Sequence, residues 1–479
     1  LMKAVLKKYF HYFSFFYTFV RHRFFIMLLL SVTVGMLDGI GLALFMPLLE
    51  VINQPEATNT ENMGNLAFVI EFLNSIGLKL TLNVLLLSLL SIYVIKGVIS
   101  FIESYYQVLL RRLFIRKIRF ILIDGLANMR YQSFVKTDAG SIQNSLSGEA
   151  GKVVQAFIAY TGTFKALLIL LVYLSMAFLA NAQFAVFVAI GGLLTNFLYK
   201  SIYKLNKKLS LEVVTVGHRF QGLLIQSVQY YKYLKATAQF KSYASRLKKY
   251  VNDLENLQRK MGFLNSIITA TREPLVMLVV VGVILIQVNV LGGNLASILM
   301  SLLFFYRALN ALMGVQSSWN SFLNFSGSIE NAKEFMQELS DKKEVQVAKT
   351  IGGFGNTLNF KDVSFEYFEG AQTLNEINLS IAKNETIAFV GESGAGKTTL
   401  VNMISGLLND FQGEMSIDNN LYGSFNLQGI QSKIGYITQE PVIFSDTLYN
   451  NITFWAPKTE ENKTRFNEVI EKAALEEFV

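Results

Sequence analysis

The sequence predicts an all-α membrane region of six transmembrane helices with long cytoplasmic extensions, followed by the N-terminal part of an α/β P-loop domain. The first observation is the composition of the 479-residue chain, which is 52% hydrophobic and only 16% charged, whereas soluble domains are about 25% charged. The second is that apolar runs long enough to cross a bilayer alternate with basic segments. The third is a phosphate-binding pattern that begins at Gly391.

The composition also excludes several classes of site. The chain has no cysteine, so disulfides, thiolate metal sites and cysteine nucleophiles are ruled out. Its three histidines, His11, His22 and His218, all precede the phosphate-binding pattern. The net charge of +8 does not indicate nucleic-acid binding, because the basic residues cluster at the ends of apolar runs. The N-terminal apolar run lacks a small-residue cleavage site, so no signal peptide is predicted.

Residues 1–22 combine aromatic and basic side chains and predict an amphipathic helix that lies along the inner membrane interface. Residues 66–78 predict a similar short helix on the outer side. A membrane span needs about 20 mainly apolar residues, and six runs within residues 23–330 satisfy this requirement. We expect residues 331–350 to form a linker. The predicted spans are residues 24–50, 82–110, 154–180, 183–203, 262–288 and 294–322.

The segments between the spans alternate in charge. The N-terminal arm and the connectors 111–153 and 204–261 are basic, whereas the loop between the first two spans is acidic. The positive-inside rule therefore predicts that both termini and both long connectors are cytoplasmic. The connectors keep a helical apolar period, for example at Ile115, Ile118 and Leu122, so we expect the membrane helices to continue into the cytoplasm as long hairpins. Disordered basic loops are the alternative, which so many apolar residues disfavour.

Charged residues inside the predicted spans are costly and are usually functional or paired. Two interpretations are open. In the first, these residues form pairs between helices, such as Asp38 with Lys96. In the second, Arg272 and Arg307 face a cavity in which their guanidinium groups hold phosphate. The charged residues concerned are Asp38, Lys96, Glu103, Arg272, Glu273 and Arg307.

After about residue 340 the long apolar runs end, and short strands bounded by turns are predicted. Residues 358–365 alternate like a strand, and residues 385–390 form a short apolar strand that ends at Gly391. The sequence GESGAGKTT at 391–399 then matches G-x-x-x-x-G-K-[ST], with a predicted strand before it and a predicted helix after it. Glycines let backbone N–H groups approach a phosphate, and a helix N-terminus favours its negative charge.

This loop predicts a nucleotide-binding site. Lys397 is placed to reach the outer phosphates, and the Thr398 hydroxyl to ligate magnesium. The predicted nucleotide contacts within the loop are Gly391, Glu392, Ser393, Gly394, Ala395, Gly396, Lys397, Thr398 and Thr399.

The order of six spans followed by this loop resembles a half-size exporter of the ATP-binding cassette (ABC) family, over essentially the whole chain. Residues 360–367, FKDVSFEY, are similar to the family's opening strand, which implies that Tyr367 stacks on the adenine. The alternative is that Tyr367 only packs on the sheet. Residues 434–444, IGYITQEPVIF, resemble the family's Q-loop, which implies that Gln439 contacts Mg²⁺ and the attacking water.

The resemblance further implies a homodimer or heterodimer of half-transporters that sandwiches two ATP molecules with Mg²⁺. It places the protein in the bacterial cytoplasmic (inner) membrane, in contact with membrane lipid. Lys397 and Gln439 would be the catalytic residues, and Thr398 and Gln439 the metal ligands. Short helices near residues 131–135 and 229–233 would carry motion between the two parts, with aromatic side chains seated on the ATPase. The alternative is that these are ordinary amphipathic helix faces.

Two local patterns bear on the cargo. Residues 41–47, GLALFMP, and the adjacent Tyr306 and Arg307 resemble exporters that flip polyprenyl-diphosphate oligosaccharides. This resemblance implies ATP-driven export of a lipid, a lipid-linked glycan or another amphipathic substrate, with Arg272 and Arg307 bound to the diphosphate. Multidrug or peptide export is the alternative, and a built-in cysteine peptidase is excluded because the chain has no cysteine.

A complete ABC ATPase continues past its Q-loop with a Leu-Ser-Gly-Gly-Gln-like signature, an apolar strand ending in Asp-Glu and a switch histidine. None of these follows Gln439 in the sequence. Residues 146–149, LSGE, resemble the signature only superficially and are predicted to belong to a helical hairpin. We therefore expect residues 351–479 to be an incomplete ATP-binding cassette, with efficient hydrolysis belonging to the complete parent. The alternative from another class is a truncated membrane protein that binds ATP without efficient hydrolysis.

Overall fold

The computed structural model describes residues 12–45, 47–48, 81–180, 182–289, 295–344, 349, 353–368, 370–439 and 441–478. The chain divides into two compact units, Leu1–Glu344 and Val345–Val479, which we call the helical unit and the sheet unit. The outer helix predicted at residues 66–78 lies outside the described residues.

The described helices of the helical unit are α1 (Arg23–Ala43), α2 (Leu82–Ala127), α3 (Tyr131–Lys136), α4 (Ala139–Asn144), α5 (Ala150–Ala180), α6 (Ala182–Gln229), α7 (Tyr231–Ala236), α8 (Phe240–Asn289) and α9 (Leu295–Asp341). Every predicted span overlaps one of the long helices. α2 contains 46 residues, so it is about 70 Å long at 1.5 Å per residue, more than twice the hydrocarbon core of about 30 Å. α9 continues to Asp341, within the range predicted to be a linker.

Three helical stretches in the described part of the chain are long and apolar enough to cross a membrane: Arg23–Ala43, Leu82–Ala127 and Gly140–Leu179. They correspond to the first three predicted spans. α6 and α8 contain the fourth and fifth predicted ranges, and α9 overlaps the sixth from Leu295 onward. The unit is therefore mostly helical, with the apolar composition of a membrane domain.

The N-terminal segment packs on this bundle. Residues 12–20 are helical, and Phe16 is buried at 1% exposure. Its ring centroid lies 4.9 Å from that of Tyr160 and 5.6 Å from that of Phe114. The Tyr12 hydroxyl donates a hydrogen bond of 2.7 Å to Glu330 Oε1. The described part of the predicted amphipathic helix thus buries aromatic side chains in the core, where each ring pair contributes about 0.5–1.5 kcal/mol.

Short helices occupy the turns between the long helices. α3 follows α2, and α7 separates α6 from α8, so helices form at both positions where connecting helices were predicted. Large side chains on them remain solvent-exposed, including Phe134 on α3 and Tyr231 and Tyr233 on α7. Exposed aromatic groups on these two short helices are available for contacts with other parts of the protein or with a partner.

A polar cluster joins the segment before α5 to α6. The π-helix Ser145–Glu149 contains the LSGE sequence, which agrees with its predicted place in a helical hairpin. Glu149 is fully buried and accepts a hydrogen bond of 2.8 Å from Lys152 Nζ. Ser141 Oγ lies 2.9 Å from His218 Nδ1. Burial lowers the pKa of His218, because it disfavours the charged imidazolium.

Three asparagine side chains connect α6, α8 and α9. Asn206 Nδ2 donates to Asn265 Oδ1 at 3.1 Å and to Asn320 Oδ1 at 2.8 Å. Asn320 Nδ2 also donates to Asn265 Oδ1 at 2.7 Å. We call these residues the asparagine triad. Asn206 is fully buried, so its amide depends on these partners for hydrogen bonding.

In the sheet unit, the described strands β1 (Thr357–Glu366), β2 (Gln372–Ala382), β3 (Gln412–Ile417) and β4 (Asn420–Leu421) form an antiparallel sheet in the order β2-β1-β3-β4. The predicted strand at 358–365 is confirmed by β1, which buries Leu358, Phe360, Val363 and Phe365. The described helices of this unit are α10 (Lys397–Ile404), α11 (Leu427–Gln431), α12 (Leu448–Thr453) and α13 (Glu460–Lys472).

The strand predicted at residues 385–390 is wrong. These residues have no regular secondary structure, and Val390 is 93% exposed. A strand must pair its backbone N–H and C=O groups with a neighbour, and no described strand runs beside this segment. Ile437 lies in a second apolar stretch without regular secondary structure, and its side chain is 97% exposed.

Asp418 stabilises the segment that leads into β1. Its carboxylate accepts backbone N–H groups of Gly355 at 2.6 Å, Asn356 at 2.6 Å and Thr357 at 2.9 Å. These hydrogen bonds lower the pKa of Asp418. The role of Asp418 is therefore to close a turn in the sheet unit.

Candidate functional site

The phosphate loop at residues 391–399 derives its shape from two glycines. Gly394 and Gly396 both have a φ of +87°, a conformation that other L-residues adopt at a cost. A Cβ at Gly396 would lie 2.6 Å from Leu374 Cδ2, whereas a Cβ at Gly394 would meet nothing within 4 Å. Gly396 precedes α10, so the free N–H groups of the first helical turn follow directly after the loop.

Lys397 lies across this loop. Its Nζ donates to Gly391 O at 2.8 Å and to Glu392 O at 2.6 Å. The ammonium group, the glycine backbone and the N-terminus of α10 thus form one positive environment. Thr398 is exposed beside it, whereas Thr399 is buried. The donors and the space at Gly394 fit the phosphates of a nucleotide.

Tyr367 is brought next to the loop. It follows β1, and its hydroxyl oxygen lies 3.4 Å from Thr399 Oγ1 in the first turn of α10. Its ring also makes an edge contact with Phe365, with centroids 4.9 Å apart. The structure therefore contains the sheet packing expected in the alternative interpretation and also places Tyr367 near the phosphate loop. The stacking role of Tyr367 stays a prediction.

The Q-loop segment is anchored on α10, but Gln439 itself is not. Tyr436 donates a hydrogen bond of 3.2 Å from its hydroxyl to Asn402 Oδ1 on that helix. Gln439 is exposed, and the described residues include no side-chain partner for it. The structure thus brings Lys397, Thr398 and Tyr367 together, whereas the role of Gln439 stays a prediction.

Asp38 and Lys96 form the ion pair that the first interpretation of the intramembrane charges predicted, linking α1 to α2. Tyr173 on α5 also donates a hydrogen bond to Asp38. Arg307 on α9 is exposed and interacts electrostatically with Asp38. The Arg272 side chain lies outside the described part of the chain, so the predicted phosphate site formed by Arg272 and Arg307 stays a prediction.

Glu103 anchors a second group of buried polar contacts, which the sequence reasoning missed in part. It is fully buried and accepts hydrogen bonds from Ser31 Oγ at 2.6 Å, Gln107 Nε2 at 3.2 Å and Lys165 Nζ at 2.9 Å. Lys165 is a lone cation within the third apolar run, which is a signal that could have identified it. A buried carboxylate needs such partners to remain charged.

Comparison with known families identifies the class of this protein. Residues 24–314 match the ABC transporter transmembrane region, and residues 374–479 match the ABC transporter family. The chain therefore belongs to the ABC transporters. The order of a transmembrane region and an ATP-binding region in one chain is that of an exporter half-transporter, as the sequence predicted.

Individual relatives are distant. The chain is 24% identical over 403 residues to an ATP-dependent lipid A-core flippase of Cupriavidus pinatubonensis, covering 82% of this chain and 67% of that protein. It is 23% identical over 238 residues to a multidrug resistance ABC transporter ATP-binding and permease protein of Lactococcus lactis, covering 49% and 40%. A lipid A-core flippase of Hahella chejuensis is 43% identical over 100 residues, covering 21% and 17%. The chain thus spans about two thirds of the first relative's length.

Proposed function

We propose that the protein is one half of an ATP-driven exporter that moves a lipid, a lipid-linked glycan or another amphipathic substrate across the membrane. The observation that carries the proposal is the phosphate loop, in which Lys397 lies across two loop carbonyls at the start of α10. Its position in one chain with an ABC transmembrane region supports nucleotide-driven transport. The relatives that are named lipid A-core flippases support a lipid cargo.

The residues of the sheet unit would bind and orient ATP, whose binding and hydrolysis by water to ADP and phosphate would supply the free energy for transport. The Lys397 ammonium would exchange neutral carbonyl partners for phosphate oxygens, which form stronger charge-assisted hydrogen bonds. The Thr398 hydroxyl and the Gln439 side-chain oxygen would hold Mg²⁺, which prefers oxygen ligands. Tyr367 would stack on the adenine.

In the membrane, we propose six spans with both termini on the cytoplasmic side of a bacterial inner membrane. The basic connectors support this orientation. Helices as long as α2 extend beyond a bilayer, which supports cytoplasmic hairpins with α3 and α7 at their tips. Two half-transporters, identical or different, would combine to form the transport pathway.

For the cargo, we propose that Arg307 and Arg272 bind a phosphate or diphosphate group of the substrate. The exposed Arg307 guanidinium can make two parallel hydrogen bonds to phosphate oxygens. The similarity to a multidrug resistance transporter supports multidrug export as the second candidate.

Nucleotide binding is tested with a fluorescent ATP analogue and the detergent-purified chain. Lys397→Ala is expected to weaken binding at least tenfold, because it removes the only charged donor of the loop, a change of about 1.4 kcal/mol or more. Lys433→Ala, at an exposed lysine of the same unit, is the matched control. Equal affinities for the two variants would refute the site. Measuring hydrolysis in the same samples separates an active ATPase from a protein that only binds ATP.

The cargo proposal needs a transporter with a complete ATP-binding cassette, reconstituted in liposomes. Polyprenyl-diphosphate lipids are expected to stimulate its ATPase activity, and Arg307→Ala to abolish most of that stimulation. Arg307→Lys keeps the charge but loses the two-pronged hydrogen bonding, so partial stimulation is expected. Undiminished stimulation in Arg307→Ala would rule out this phosphate site. Stimulation by cationic drugs alone would favour the multidrug alternative.

A further inference from the structure

A cavity of about 130 Å³ lies between α1, α2 and α5, next to the Glu103 group, with which it shares Gln107. Its polar lining comes from Ser104, Gln107 and Arg111 on α2 and from Thr161 on α5. Met27 on α1 belongs to its apolar lining. A cavity of about 150 Å³ can bind a molecule the size of benzene, so this volume suits a group of several heavy atoms rather than a whole lipid.

The cavity follows one face of α2. Residues 104, 107, 108 and 111 are spaced by three and four positions, so they lie one above another on the helix surface. Arg111 is the first cation after the predicted second span, and Arg112, Arg116 and Lys117 follow it. A helix that leaves the hydrocarbon in this way places its first arginine at the level of the lipid headgroups. This placement depends on the membrane orientation proposed above.

Charge in the cavity favours an anion. The nearby Glu103 is neutralised by its ion pair with Lys165 at 2.9 Å. Arg111 is exposed, and within the described residues its guanidinium has no hydrogen-bond or ion-pair partner. The cavity therefore holds one uncompensated positive charge. A guanidinium group of this kind binds phosphate oxygens in pairs.

Two of the other polar groups can accept hydrogen bonds. The Gln107 Nε2 group donates to Glu103 Oε1 at 3.2 Å, so its carbonyl oxygen remains as an acceptor. The Thr161 hydroxyl donates to Phe157 O at 2.9 Å within its own helix, which leaves its oxygen lone pairs available. The cavity thus combines a cation for phosphate with acceptors for a hydroxyl or ammonium group.

We propose that this cavity binds the headgroup of a glycerophospholipid, with the phosphate on Arg111 and a headgroup hydroxyl or ammonium group on Gln107 and Thr161. Inorganic phosphate shares part of this chemistry. The cavity wall includes the apolar Val108 at 47% exposure and Ile158 at 36% exposure, which suits acyl chains better than a soluble anion. The cavity is lined by residues of α1, α2 and α5, whereas Arg272 and Arg307 of the proposed cargo site lie on α8 and α9.

The test measures lipid binding to the purified chain in detergent by native mass spectrometry and by thermal unfolding. Phosphatidylglycerol and phosphatidylethanolamine are expected to bind at least tenfold more tightly than phosphatidylcholine, whose choline group has no N–H or O–H donor. Arg111→Ala is expected to weaken phosphatidylglycerol binding at least tenfold. Arg112→Ala removes the same charge from the adjacent exposed position, which does not line the cavity, and is expected to have little effect.

Two further variants keep the result interpretable. Arg111→Lys retains the charge and is expected to bind phosphatidylglycerol with intermediate affinity, which separates loss of the site from loss of folding. Thr161→Val is expected to reduce the preference for phosphatidylglycerol over phosphatidylcholine. Equal losses in Arg111→Ala and Arg112→Ala would overturn the proposal in favour of general surface electrostatics. Binding of inorganic phosphate as tight as that of the lipids would overturn the assignment to a lipid.

Discussion

Gly394 and Gly396 provide a matched pair of substitutions that tests the geometry of the phosphate loop. Both have a φ of +87°, so alanine at either position costs about 1–2 kcal/mol of backbone strain. At Gly396 the new Cβ would also lie 2.6 Å from Leu374 Cδ2 and 3.0 Å from Thr373 O. Overpacking of this kind costs typically about 1–3 kcal/mol more. At Gly394 the Cβ enters open space.

The measurement is the unfolding midpoint of the sheet unit within the whole chain. It is followed during chemical denaturation through Trp455 fluorescence in a Trp319→Phe background, because the chain has two tryptophans. Gly394→Ala is expected to lower the free energy of unfolding by about 1–2 kcal/mol. Gly396→Ala is expected to lower it by an additional 1–3 kcal/mol or so, because β2 and the loop cannot both keep their positions. Equal destabilisation by the two variants would refute the packing of Gly396 against Leu374. A neutral Gly394→Ala would refute the left-handed conformation of the loop.

Three further predictions concern other parts of the chain. Glu103→Ala should destabilise the detergent-solubilised protein by about 3 kcal/mol, because it leaves Lys165 without its buried partner. The control Glu273→Ala, at an exposed position, should leave the stability unchanged. Equal thermal unfolding midpoints for the two variants would contradict this prediction. Hydrogen bonds hold the pKa of Asp418 below its usual 3.8 in the folded protein. Its ionised carboxylate therefore stabilises the fold above that pH, and this stabilisation is lost as the pH falls through the folded-state pKa. The difference in stability between the parent and Asp418→Asn should accordingly shrink between pH 7 and pH 3. Tyr367→Ala should weaken ATP binding by about 1–3 kcal/mol, whereas Tyr367→Phe should preserve it; equal losses would exclude stacking.

The elements that could be predicted from the sequence are those whose residue pattern leaves few conformations. Long apolar runs predicted the helices, because a membrane segment must satisfy its backbone hydrogen bonds internally. The GESGAGKTT sequence predicted the loop before α10, because Gly394 and Gly396 allow a backbone path that other residues resist. The resemblance to ABC exporters implied short helices near residues 131–135 and 229–233, where α3 and α7 lie.

Other features depend on neighbours that no local pattern identifies. The apolar residues 385–390 indicated a strand, but apolar side chains predict only burial and not which backbone neighbour is available. No described strand pairs with this segment. The contact between Glu103 and Lys165 depends on the rotation of α2 against α5, although the lone lysine in an apolar run was visible in the sequence. The position of Gln439 relative to Lys397 likewise depends on contacts beyond its own segment.

The asparagine triad has a mechanical consequence. A slide of one residue along a helix axis is about 1.5 Å, which is enough to break hydrogen bonds of 2.7–3.1 Å between these amides. Since an interhelical hydrogen bond in a membrane protein contributes about 0.6 kcal/mol, the three together resist such a slide by about 2 kcal/mol. The triad therefore favours one register of α6, α8 and α9 at this level. Pro274, within α8, removes one backbone hydrogen bond, so α8 resists bending least at that position.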